Sequence, residues 1–175
     1  MISQAYLELN RQLHQDPSIK YGYKGWQQAE AVVACAREFE ADSILDYGAG
    51  KQTLSAQLKK LGFLNVADFD PAIPEISSLP EPADLVVCSD VMEHVEPVFL
   101  EVVISDIHRL TKKALFLRVC TVPCTSKSLP DGSDPHRSIM PRMAWWSLFS
   151  PFFWYHGEPC DEPNYFTFIL TPKRK

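Results

Sequence analysis

Apolar residues recur at helical spacing twice near the start of the chain: Tyr6, Leu9 and Leu13 over residues 3–14, and Ala29, Val32, Val33, Ala36 and Phe39 over residues 26–40. Both stretches are expected to be amphipathic helices. The period then changes: residues 43–47, 64–69, 85–88 and 113–120 read as strands, and Leu85-Val86-Val87-Cys88 is continuously apolar as expected when helices cover both faces. Helical patterns separate most of them. Residues 52–61 carry Lys59 and Lys60 in the last turn with Gly62 just past it, and residues 97–110 open on Pro97 and place Phe99, Val103, Ile107 and Leu110 on one face. Between the second and third runs, Pro71, Pro74, Pro80 and Pro82 fall within twelve positions, which forbids a regular helix there. Beyond residue 120 a polar loop leads to a short helix starting near Pro141, then two aromatic-rich runs, 152–156 and 165–170, are expected to pair as an antiparallel hairpin.

Strand and helix alternating over residues 26–120 predict a parallel, doubly wound α/β sheet. A chain of 175 residues fits one domain spanning 1–175, with N-terminal helices in 1–40, a binding core in 43–120 and a substrate-side loop, helix and hairpin in 121–175. Net charge of -5 gives no general attraction to nucleic acid or anionic lipid. No basic leader or membrane-length apolar run is present, so a soluble, cytoplasmic protein is expected. Five cysteines, Cys35, Cys88, Cys120, Cys124 and Cys160, sit in apolar contexts as reduced thiols. Pro123 interrupts the Cys120/Cys124 pair and no second ligand pair is spaced to complete a zinc site, so no metal is expected.

The chemistry concentrates where the first strand ends, at Asp46-Tyr47-Gly48-Ala49-Gly50. Glycines at that turn let backbone approach a ligand, and the helix behind them presents free N–H groups. Asp46 would repel a pyrophosphate and suits a ligand carrying hydroxyls or a cationic group. At the end of the second strand, Asp70 lies 24 residues after Asp46, where a carboxylate can accept bonds from two ribose hydroxyls, with Asp68 as the alternative. The third strand runs into Asp90-Val91-Met92-Glu93-His94.

In this order, the signals resemble the class I S-adenosylmethionine-dependent methyltransferases, over roughly residues 26–170 and most specifically 43–97. The resemblance implies a three-layer Rossmann-like fold with a C-terminal antiparallel hairpin and a methyl transfer from S-adenosylmethionine, on the pattern of members acting on small molecules. Cofactor contacts are then expected from Asp46, Gly48, Gly50, Lys51, Asp70, Pro71, Asp90, Val91 and Met92, with Lys51 facing the cofactor carboxylate and Met92 near the sulfonium. Glu93-His94 reads as an orienting pair, with His94 a candidate base. His136 and Arg137 in the 131–137 loop offer a second base and an anion fork, and Trp145 and Trp146 a flat wall.

The sequence departs from the family pattern in two places. Gln52 replaces the third glycine, where its side chain either crowds the pocket or points away. Only 13 residues separate Asp70 from Asp84, so the helix and strand that normally lie between the second and fourth strands are shortened or missing, leaving Pro71, Ala72, Ile73 or the loop around Leu79 to meet the adenine. Other readings are cleavage of the cofactor, a non-catalytic accessory protein on the same fold, or a nucleic-acid or protein substrate. The Asn/Asp-Pro-Pro-Tyr signature of DNA amino-methylating enzymes is absent. The three aromatics in Tyr21-Gly22-Tyr23-Lys24-Gly25-Trp26 either seal the core, the favoured reading, or cover a pocket.

Overall fold

The computed structural model describes residues 2–16, 18–19, 21–125, 128–159 and 161–174. Cys160 lies outside them; the thiols of Cys35, Cys88 and Cys120 form no disulfide. Helices α1 (Gln4–Gln15), α2 (Ala29–Glu38), α3 (Thr53–Lys60), α4 (Leu100–Leu110) and α5 (Arg142–Phe149) surround one sheet. Its strands are β1 (Ile44–Tyr47), β2 (Val66–Phe69), β3 (Ala83–Ser89), β4 (Thr111–Cys120), β5 (Phe153–Gly157), β6 (Asp161–Glu162) and β7 (Tyr165–Pro172).

The strand order is β2-β1-β3-β4-β7-β5, with β6 also on β7. The first four run parallel, and β7 and β5 close the far side antiparallel. Period-two alternation sorts the strand side chains into two layers. Leu45, Tyr47, Val86, Cys88, Leu115 and Leu117 face α4 and α5, while Ile44, Leu85, Val87, Ala114 and Phe116 face α2 and α3. Both layers are buried over β3, which is why Leu85-Val86-Val87-Cys88 reads as an unbroken apolar run. Helix α4 buries Val103, Ile104, Ile107 and Leu110 on one stripe, each contributing about 2 kcal/mol through lost apolar exposure.

Among the described residues no strand pairs outside β2, so the sheet ends there. Between β2 and β3 the proline-rich interval holds a single 3-10 turn, Pro74–Ile76, so the expected shortening is real. Trp145 is fully buried in the core and Trp146 packs against Tyr155 and Phe168; neither forms the wall expected of them. The α5 stripe that carries them turns onto α4 and the β5–β7 pair. The reverse correction applies to residues 21–26: Tyr23 and Trp26 are 54% and 52% exposed, and Tyr21, Gly22, Tyr23, Lys24 and Gly25 line a cavity. No helix among the described residues is long and apolar enough to cross a membrane.

Candidate active site

Parallel strands deliver their C-terminal ends to one edge of the sheet, and a cavity of about 500 Å3 opens there. The turn after β1 forms its floor. Gly48 N–H and Ala49 N–H both donate to the Phe69 carbonyl, at 2.7 and 3.0 Å, which pins the turn to the end of β2. Gly48 has φ +85°, and a Cβ there would come within 2.3 Å of Val91 Cγ2. Only glycine fits that contact. Gln52 adopts φ +57° at the start of α3 and its side chain is exposed, so it points away from the cavity.

The Asp70 carboxylate accepts from Gly50 N–H at 3.1 Å and Ala72 N–H at 2.9 Å, joining the two loops that face the cavity. Asp68 turns outward to Ser55 Oγ at 3.0 Å. Asp46 is 5% exposed, lines the cavity, and has no hydrogen-bond donor among the described residues. Burial, then the nearby Asp68 and Asp70 carboxylates, push it up to about 8. An acid in this state calls for a cation.

Helix α1 and residues 21–25 roof the cavity. Ser3 N–H and Oγ donate to Glu96, Tyr6 Oη donates to the Pro135 carbonyl at 2.7 Å, and Gly22 packs directly on Gly50. Lys51, expected to face a cofactor carboxylate, instead donates its ammonium to the His14 carbonyl at the end of α1, while its backbone N–H bonds the Gly22 carbonyl. Its charge secures the roof. His14, Tyr6, Asn10 and Tyr21 reach the cavity from this side. Tyr6, Asn10 and His14 could not be placed there from the sequence, because helical spacing around Tyr6 and Leu13 signals only packing.

The turn after β3 forms the opposite wall. Asp90 has φ +57°, and its carboxylate is bound by Arg118 Nη1 at 2.7 and 2.8 Å. Arg118 also reaches Glu162 and lies 3.8 Å from the Tyr165 ring centre; burial opposes its charge, but Asp90 and Glu162 more than offset that. Val91 lines the cavity beside Gly48, whereas Met92, expected near the sulfonium, is fully buried in the core. Pro71 and Ala72 line the β2 side; Leu79 is 82% exposed and outside it.

His94 and His136 meet edge to face at this end, ring centres 4.8 Å apart. The two Nδ1 atoms lie at 3.1 Å from the Pro135 carbonyl and 2.7 Å from the Val122 carbonyl, respectively. Carbonyls only accept, so each Nδ1 carries its proton and leaves Nε2 as the free ring nitrogen. Burial, then the His136 charge, lowers His94 to about 3, holding it neutral. Glu93, 1% exposed, accepts from Cys120 N–H through Oε1 at 3.1 Å, while buried Oε2 has no partner. Burial, then Asp90, pushes Glu93 up to about 8. Arg137 stacks over the Tyr6 ring instead of serving as an anion fork in the cavity.

Comparison with known families decides the membership. A model described as a methyltransferase domain matches residues 23–159. The chain belongs to the methyltransferase domain family. Among solved structures similar to this family member is a 1,6-didemethyltoxoflavin-N1-methyltransferase from Burkholderia thailandensis with bound 1,6-didemethyltoxoflavin and S-adenosylhomocysteine, at 13% identity and TM-score 0.70, over 97% of this chain and 90% of that one. A DhpI–SAH complex is similar at 12% identity and TM-score 0.64, over 99% and 100% of the two chains. Magnesium protoporphyrin IX methyltransferase (ChlM) from Synechocystis PCC 6803 with bound SAM is similar at 17% identity and TM-score 0.57, over 98% and 92%. Comparison with curated proteins finds no match. The methyltransferase fold is shared with these structures.

Proposed function

We propose that this methyltransferase-family chain transfers the methyl group of S-adenosylmethionine to a small molecule. The carrying observation is that the Asp46–Gly50 turn, Asp70–Ala72 and Ser89–Val91 line one cavity at the strand C-termini. Their chemistry fits the cofactor. Asp46, buried and without a donor, receives a cationic group; Asp70 keeps lone pairs for vicinal hydroxyls; Pro71 and Ala72 offer an apolar face to the adenine. S-adenosylmethionine supplies an electrophilic methyl on a sulfonium, so the protein's task is largely to align a nucleophile with it.

Backbone at Gly48 and Val91 defines one side of the cavity, and His94 and His136 stand against the acceptor at the other. A cavity of about 500 Å3 that holds the cofactor and remains roofed by α1 favours a small acceptor over a polymer. Calorimetry with S-adenosylmethionine and S-adenosylhomocysteine tests the assignment; no heat from either at high micromolar protein overturns it. Asp70→Ala should weaken S-adenosylhomocysteine binding at least tenfold, about 1.4 kcal/mol, by removing charge-assisted bonds to the ribose. Unchanged affinity removes Asp70 from that role.

A further inference from the structure

We propose that Glu93, His94 and His136 form a binding site for one divalent first-row transition metal ion, Zn2+ or Mn2+, at the acceptor end of the cavity. A ligand atom from each of the three lies within 4.8 Å of the other two. Around a tetrahedral ion with 2.0–2.2 Å bonds, donors stand about 3.4 Å apart, so the three close on an ion by small side-chain rotations.

The arrangement of hydrogen bonds points the same way. Metal-bound imidazoles characteristically commit their second nitrogen to a carbonyl or carboxylate, which fixes the tautomer and aims the ligand nitrogen. Both imidazoles here do so, His94 through Pro135 and His136 through Val122, leaving two Nε2 atoms uncommitted. Glu93 is oriented in the same manner. Cys120 N–H fixes Oε1, and Oε2, fully buried on a side chain that lines the cavity, has nothing to bond. Edge-to-face packing accounts for the two rings being neighbours, but it leaves that oxygen unsatisfied. A cation satisfies all three donors together.

Asp90, the other carboxylate on this turn, is held by both its oxygens on Arg118, so the ligand set is two imidazoles and one carboxylate. That set suits Zn2+ or Mn2+ better than Mg2+, which takes oxygen ligands and keeps its water. Three protein ligands leave positions open on the ion. The cavity supplies the space for an acceptor oxygen there, and a bound hydroxyl releases its proton to water near neutral pH. The acceptor class is therefore an oxygen-bearing molecule, a hydroxyl; this consequence rests on the methyltransferase reading, whereas the cation site does not.

Chelator-stripped protein titrated with Zn2+, Mn2+ or Co2+ is expected to bind one ion per chain, with visible Co2+ bands of a low-coordinate site. His136→Ala and Glu93→Gln should each weaken binding by more than the 10–100-fold that losing an outer partner costs. His108→Ala, whose ring packs on Phe152 and Phe153 elsewhere, should leave it unchanged. Circular dichroism and thermal melting on the same samples report whether each variant is folded, and S-adenosylhomocysteine calorimetry reads the nucleoside site separately. No stoichiometric ion on the wild type, or full retention of binding by folded His136→Ala, overturns the site. Bound metal without any nucleoside binding would instead remove the methyltransferase reading and leave the cation site standing.

Discussion

Replacing Asp46 by Asn keeps the shape of the cavity floor and removes its titration. In the folded chain the Asp46 carboxyl holds its proton up to about 8, against an ordinary value of 3.8, because burial and the Asp68 and Asp70 carboxylates oppose ionisation. The unfolded chain ionises near pH 4, so between about pH 4 and 8 it binds fewer protons than the folded one. Stability therefore falls as pH rises through that window and levels off above it. At 1.36 kcal/mol per tenfold, the whole window is worth on the order of 5 kcal/mol. Between pH 5 and pH 8.5 Asp46 accounts for about 4 kcal/mol of this loss, so denaturant unfolding should show the wild type losing about that much more than Asp46→Asn, which keeps the same-direction titration of Glu93. The same carboxyl predicts proton release on cofactor binding. A cationic ligand group favours the ionised form, so calorimetry at pH 7 in buffers of differing ionisation enthalpy should show close to one proton released per cofactor, fading toward pH 9. Superimposable stability profiles for the two proteins from pH 5 to 8.5 would refute the reasoning.

Gly48→Ala places a methyl against Val91 at a left-handed φ and should cost about 3 kcal/mol, lowering Tm by roughly 10 °C. Combined with Val91→Ala, the two losses should fall short of additive by about 1 kcal/mol; strict additivity in the double-mutant cycle means that Val91 is not the obstacle. Gln52→Gly relieves a left-handed φ outside the cavity and should stabilise by about 0.5 kcal/mol. Its S-adenosylhomocysteine affinity should stay within about twofold of wild type, and a larger change would place Gln52 in the site.

Local signals carried the central layers of the fold because strand and helix patterns there agree with burial on both faces. Leu85-Val86-Val87-Cys88 and the α4 stripe are fully buried where their periodicity placed them. The cavity-lining residues were legible for a related reason: Gly48, Asp70 and Asp90 sit at strand ends, where chain order maps directly onto position. What failed was side-chain direction. Nothing in the sequence around Lys51 tells that a carbonyl at residue 14 will take its ammonium, and Met92 or Trp145 cannot be sorted between cavity and core without the partner helix in place. The Glu93, His94 and His136 grouping escaped because it joins positions more than 40 residues apart through a loop with no periodic pattern, and the cysteine spacing drew attention to a different set of ligands.

Gly22 and Gly50 pack backbone against backbone, which joins the roof of the cavity to its floor within one chain. With the Lys51 N–H on the Gly22 carbonyl and Ser3 on Glu96, the proposed methyl transfer would couple ligand exchange to local opening of the first residues. On that proposal, a change at Gly22 or Ser3 is expected to alter how fast ligands exchange while leaving the proposed reacting groups where they are.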